Sequence, residues 1–407
     1  MSSLHLSDRA AAILDKLCLE IPGRRVGSAG NQAATDFFAR SVTAPGFETE
    51  SPAFDCLDWS SEGADLTVSG ASFDVLVGPY SLGCRVRAPL AVASTVQELE
   101  DLEAGAKIVL LHGDLAKEQL MPKNFPFYNP DEHQRIIHLL ETKKPAAIVA
   151  ATTRDVAMAG AVYPFPLIED GDFDIPSAYM TAEEGHRLAE HSGQPVSLHI
   201  RAERTPSTGC NVVARKGGDQ HRRVVLFAHI DAKEGTPGAI DNATGVTVLL
   251  LLAELLTNYS GKLGVEIVAL NGEDYYSGPG EQLYLSMNAG RFEEIVLGVN
   301  LDGAGYHEGN TAYSLYDCPA DIASAIYSAF SAQKGMVEGD PWYQSDHGLF
   351  LMNQRPALAI TSGRFTALWS EIAHTPEDRP EIVDCGKLVA IAEALRDLLL
   401  HLDRLLV

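Results

Sequence analysis

Hydrophobic positions along this chain switch between two rhythms. Near the N-terminus Leu6, Ala10, Ile13, Leu14 and Leu17 recur at helical spacing, which predicts an amphipathic helix. A Gly-rich turn, Arg24-Arg25-Val26-Gly27-Ser28-Ala29-Gly30-Asn31, separates it from a second helix through Ala33, Phe37 and Phe38. From about residue 58 the texture changes to short β-type runs at 66–68, 73–77 and 88–92. Two apolar runs bounded by turn residues, 106–111 and 146–150, read as buried strands with a helix over 130–143 between them. Thr181 followed by Glu184 has the form of a capping box at a helix start, and a further strand is expected at 196–200. This middle stretch, 61–203, has its own hydrophobic runs but few clustered chemical residues. It reads as an inserted domain, with 1–60 and 204–407 forming a second, discontinuous one.

From residue 211 the alternation becomes regular. Strands are predicted at 211–214, 223–228, 265–271, 295–301 and 356–361, and helices at 245–259, 280–289, 320–333 and 384–405. Strands alternating with helices predict an α/β protein, a layered sheet covered by helices on both faces.

Composition narrows this only a little. The 407 residues are 46% hydrophobic, enough for a sizeable core, and the formal net charge is −24. Such a field repels phosphate backbones, so nucleic acid is excluded as the expected partner; it favours cations and amino groups. The six cysteines are scattered with no CxxC pair, which argues against a thiolate metal site and a disulfide framework. There is no uninterrupted apolar signal segment and no run near the roughly 20 apolar residues that span a bilayer. A cytoplasmic protein with no membrane partner is expected.

In an open α/β sheet, ligands bind beyond the carboxyl ends of the strands. Beyond 223–228 stand His229 and Asp231, and Asp241 sits at the next helix entrance. Glu273 and Asp274 follow 265–271, Asp302 follows 295–301, and Glu371 and His374 follow 356–361. His229 and Asp231 alone could be no more than a hydrogen-bonded pair at a strand end. So many carboxylates on one edge, however, would repel and take up protons unless cations lay among them. Imidazole and carboxylate donors without thiolate suit zinc, with manganese or cobalt as alternatives. Five ligands exceed what one open catalytic zinc uses and suit two metals about 3.5–4 Å apart sharing a carboxylate.

These residues resemble the motifs of metallopeptidase family twenty-eight, the dizinc aminopeptidases and glutamate carboxypeptidases. His229-x-Asp231 is similar to its HxD, Gly238-Ala-Ile-Asp241-Asn242 to GAxDN, and Gly272-Glu273-Asp274 to GE(E/D). Asn300-x-Asp302 is similar to NxD, Ser345-Asp346-His347-x-x-Phe350 to SDHxxF, and His374-Thr375 to HT. Each motif is weak alone; six in order are specific. The resemblance implies a three-layer α/β/α sandwich with a mixed central sheet, the zinc exopeptidase fold. It also implies that 61–203 is a smaller, β-rich, protease-associated-like insertion.

By the same resemblance, His229 and Asp302 would bind one zinc, Asp274 and His374 the other, and Asp241 would bridge them. Asp231 would orient His229, and Glu273 would be the general base toward the metal-bridging water. A cis peptide is implied at Asp241–Asn242. His347 is expected to be a buried structural histidine rather than a ligand. The implied activity is that of an aminopeptidase on short peptides. Alternatives are a carboxypeptidase, which would need a basic clamp such as Arg355 or Arg364, and a binding protein that has lost catalysis. The chain departs from the family at Ala373, where a tyrosine often donates to the oxyanion (Tyr306 and Tyr343 are candidates instead), and in the loop 275–280.

Overall fold

The computed structural model describes residues 3–21, 23–125, 129–152 and 166–406. The chain forms two compact units, Met1–Cys56 with Thr208–Val407, and Leu57–Ser207.

The first unit is built on an eight-stranded sheet. Its order is Glu48–Glu50, Val212–Lys216, Leu263–Leu270, Asp219–His229, Ile295–Leu301, Ala357–Ser362, Thr311–Tyr316 and Met336–Glu338. The four strands from Leu263–Leu270 to Ala357–Ser362 run parallel, flanked by antiparallel Val212–Lys216 and Thr311–Tyr316, so the sheet is mixed. The parallel strands are mostly apolar in their central stretches because both faces are covered. Val224, Leu226 and Ala228 face a core shared with the helices Ser3–Asp15, Thr244–Leu255, Ala320–Ser331 and Cys385–Leu406. Phe227, between them in sequence, points to the other face. There it stacks on Phe350 at 4.7 Å and meets Tyr284 edge-on at 4.8 Å. Helix Thr244–Leu255 is apolar on nearly all sides and is buried accordingly.

Charged side chains lie inside this sheet, Arg223 and Glu266 among them. Glu266 is fully buried mid-strand, where it accepts from Arg215 Nε at 2.6 Å and from the Tyr284 hydroxyl at 2.6 Å. A buried carboxylate is tolerable only with such partners.

The second unit carries its own eight-stranded sheet, in which Cys84–Ala93, Ile108–Leu111, Ala147–Thr152 and Ser177–Thr181 run parallel. Separate apolar clusters cover its two faces. Thr181 caps the helix Ala182–Ala189 by accepting the Glu184 amide, as its sequence predicts.

Three differences from the pattern reading stand out. The strand predicted at 196–200 extends over Pro195–Cys210. The helix predicted at 245–259 ends at Leu255. Thr311–Tyr316 is a sheet strand with no predicted counterpart. Thr311 and Ser314 are buried there beside apolar residues, which erases the alternation that marks a half-buried strand. No described helix is long and apolar enough to cross a membrane, and no disulfide joins the cysteines.

Candidate metal centre

The four parallel strands end on one edge, and the polar residues beyond them converge. His229 closes its strand with its side chain 1% exposed. Its Nε2 lies 3.1 Å from Asp241 Oδ1 and 3.7 Å from Asp302 Oδ1. His374 Nε2 lies 3.0 Å from Asp241 Oδ2 and 3.0 Å from Asp274 Oδ1. Asp241 therefore turns one oxygen toward each imidazole, with a further carboxylate on either side.

Each carboxylate is held from behind. Asp302 Oδ2 accepts the Ser345 hydroxyl at 2.7 Å, and Ser345 accepts Asn300 Nδ2 at 2.8 Å. The Asp241 turn is tied to the next strand by Asn242, whose Nδ2 donates to Leu301 O at 2.7 Å and whose Oδ1 accepts Gly245 N–H at 3.0 Å. The Asp241–Asn242 peptide is cis. Gly238 opens this turn at φ +60°, and a Cβ there would stand 2.7 Å from Arg24 and Ala232. Only glycine fits.

Asp231 has a place the sequence did not anticipate. Its Oδ1 is 3.7 Å from His229 Nδ1, an ion-pair distance too long for a hydrogen bond. Its two oxygens instead accept the amides of Gly272 at 2.8 Å and Asp274 at 3.0 Å, on either side of Glu273. Asp231 thus shapes the turn that presents Glu273.

The donor set fits a cation. Both ring nitrogens of His229, Oδ2 of Asp274 and Oδ1 of Asp302 are buried without a hydrogen-bond partner. Such orphaned atoms are costly unless something else satisfies them. Donor atoms of His229, Asp241 and Asp274 all lie within 4.8 Å of one another. Ligands about 2.1 Å from a tetrahedral centre stand about 3.4 Å apart, close to the separations seen here.

Charge tells the same story. Burial works against a charge on His229, but Asp231, Asp241 and Asp302 overcome it and raise its pKa well above the ordinary value. Burial likewise opposes a charge on His374 and is outweighed by Asp274 and Asp241. Asp241 is held well below the carboxylate range because two imidazoles outweigh its burial. Glu273 is pushed well up, by burial first, with Asp274, Asp302 and Asp346 adding to it against His229. Glu273 and His374 are the two members of the cluster that keep access to solvent; the others are buried.

Residues 211–399 match the model of peptidase family M28. A probable lipoprotein aminopeptidase of Mycobacterium tuberculosis, LpqL, is 25% identical over 306 residues, 72% of this chain and 57% of the relative. A probable leucine aminopeptidase 2 of Aspergillus oryzae is 32% identical over 202 residues, 45% of this chain and 40% of the relative. The chain spans about half the length of the first curated relatives it matches. An aminopeptidase from Aneurinibacillus sp. strain AM-1 shares the fold at TM-score 0.73 and 18% identity, covering 97% of this chain and 93% of that one. BSAP, a zinc aminopeptidase from Bacillus subtilis, does so at TM-score 0.71 and 18% identity, covering 97% and 94%.

Among the described residues, the other sequence candidates make no hydrogen bond or ion pair with the clustered carboxylates and imidazoles. Arg355 donates to Ile295 O at 3.0 Å, and Arg364 pairs with Glu308 at 3.3 Å, so each guanidinium already has a partner. Tyr306 stacks on His307 and Tyr343 is 67% exposed; neither hydroxyl is hydrogen-bonded to the cluster. Glu371 is exposed. His347 is fully buried, its Nε2 2.7 Å from Trp342 O. The supporting roles of Ser345, Arg24 and Asp378 have no local signal in the sequence, because each acts on a segment distant in the chain.

Proposed function

We propose that this chain is a metal-dependent aminopeptidase that removes N-terminal residues from short peptides. The observation that carries this reading is the placement of Asp241, with one oxygen 3.1 Å from His229 and the other 3.0 Å from His374. A carboxylate so divided is suited to bridge two cations. His229 and Asp302 would hold one, Asp274 and His374 the other. Zinc is the favoured ion, on the imidazole and carboxylate donors and on the fold shared with the Bacillus subtilis zinc aminopeptidase. Bound there, the cations would supply Lewis acidity toward a peptide carbonyl and acidify a water between them.

The chain's own residues do the rest. Glu273 is the solvent-accessible carboxyl of the cluster, and its pKa is raised by burial and by neighbouring acids. A carboxylate tuned upward is suited to take a proton from water and return it to the leaving amine. The acids around the site favour a free α-amino group, as an aminopeptidase requires. Aminopeptidase names among the relatives agree with this reading.

The test is hydrolysis of a panel of dipeptides and amino-acid anilides by protein loaded with zinc, manganese or cobalt, with N-acetylated substrates as controls. Release from free amines only is expected. Turnover of acetylated substrates, or of none, would refute the proposal.

A further inference from the structure

The turn that presents Asp241 is gripped from two sides by buried side chains outside the ligand set. On one side, Arg24 is 2% exposed and donates to four carbonyls. These are Leu17 at 2.9 Å, Ile230 at 3.0 Å, Pro237 at 2.8 Å and Gly238 at 2.7 Å. On the other, Asp378 is fully buried and takes three consecutive amides. Its Oδ1 accepts Ile240 N–H at 2.6 Å, its Oδ2 accepts Asp241 N–H at 3.0 Å, and its carbonyl accepts Ala239 N–H at 3.2 Å. Asp378 follows His374 by four residues, in a turn closed by its own amide on Thr375 O at 3.2 Å. One short segment thus supplies His374 and clamps the backbone of Asp241, its partner across 3.0 Å.

We infer that Asp378 is a positioning residue for Asp241, setting the angle at which that carboxylate divides its oxygens between two metals. This rests on the two-metal reading above. Two amides accepted by one carboxylate form a charge-assisted pair that fixes both direction and distance. An amide side chain in its place has a single oxygen to offer and leaves one N–H ungripped. The turn would not collapse on that loss, because Asn242 anchors its far end independently. What would change is the aim of Asp241.

The test uses the full chain, stripped of metal and titrated with zinc, comparing wild type with Asp378→Asn. Wild type is expected to take two equivalents. The variant is expected to bind one of them about tenfold or more weakly, the range typical when a group supporting a ligand is removed. Its melting temperature in EDTA should stay close to wild type. With manganese, the exchange-coupled spin signal of a carboxylate-bridged pair should weaken in the variant. If the variant keeps both zinc affinities and the coupled signal, the inference is overturned. If wild type itself takes fewer than two equivalents, the two-metal reading fails first and the inference falls with it. Should Asp378→Asn fail to fold, Asp378→Glu, which carries the carboxylate one methylene further out, is titrated in the same way; weakening of one zinc is expected as the grip shifts, and two wild-type affinities would overturn the inference. Loss of cooperative unfolding in EDTA for both variants would make Asp378 a folding residue and overturn the inference.

Discussion

The amide of Asp274 donates to Oδ2 of Asp231 at 3.0 Å. With the Gly272 amide on the other oxygen, this makes Asp231 the brace of the Glu273 turn. The Asp231→Asn variant keeps one acceptor and strands one amide, a loss of about 1–3 kcal/mol when the group is buried. Lower stability and a lower kcat are expected together, because the same turn carries Glu273 and Asp274, the proposed base and a proposed ligand. Urea unfolding and steady-state kinetics on one preparation check both. Unchanged kcat with reduced stability would confine Asp231 to the fold.

Glu273→Gln removes the proton acceptor and leaves the shape. Metal content should match wild type, while kcat should fall by about 10²–10⁴, the usual contribution of a general base. Metal analysis of the purified variant beside an anilide assay gives the answer. Retained activity would displace Glu273 from that role.

Removing metal should cost stability. A cation would satisfy the unpartnered oxygens of Asp274 and Asp302 and a ring nitrogen of His229, and would offset the repulsion among the clustered carboxylates. A ligand that binds only the folded state at about 100 times its Kd adds about 2.7 kcal/mol. Melting curves in EDTA and with added zinc should therefore separate by several degrees, and the separation should shrink in His229→Ala. Coincident curves would argue against a metal centre.

His347 governs part of the acid stability. Burial pushes its pKa down to about 4 from the ordinary 6.5, opposed by its hydrogen bond to the Trp342 carbonyl. The folded state thus refuses a proton that the unfolded chain accepts below pH 6.5. The contribution is fully present above pH 6.5 and is lost as pH falls through 4, by about 3 kcal/mol at most. Denaturant unfolding in EDTA at pH 7 and pH 4.5 should show this drop in wild type and a smaller one in His347→Gln. Equal drops in both would refute it.

What could be read from the chain alone was whatever depends on local pattern. The continuous apolar runs at 224–228 and 295–299 required burial on both faces, hence parallel central strands. Because such strands end together, His229, Asp274, Asp302 and His374 could be placed on one edge before any coordinates. Thr311–Tyr316 escaped because its polar residues are satisfied inside the sheet, where Ser314 donates to Asp340 O at 2.9 Å, and no local signal reports that. Only the tertiary structure decided which carboxylate faces which imidazole. It set the two oxygens of Asp231, beside the His229 ring, on the amides of Gly272 and Asp274, and it brought Arg24 and Asp378 to one turn from positions 354 residues apart in sequence. Candidate ligands follow from residue type and strand end. Ligand orientation depends on hydrogen bonds between distant segments, and these exist only once the sheet has brought the segments together.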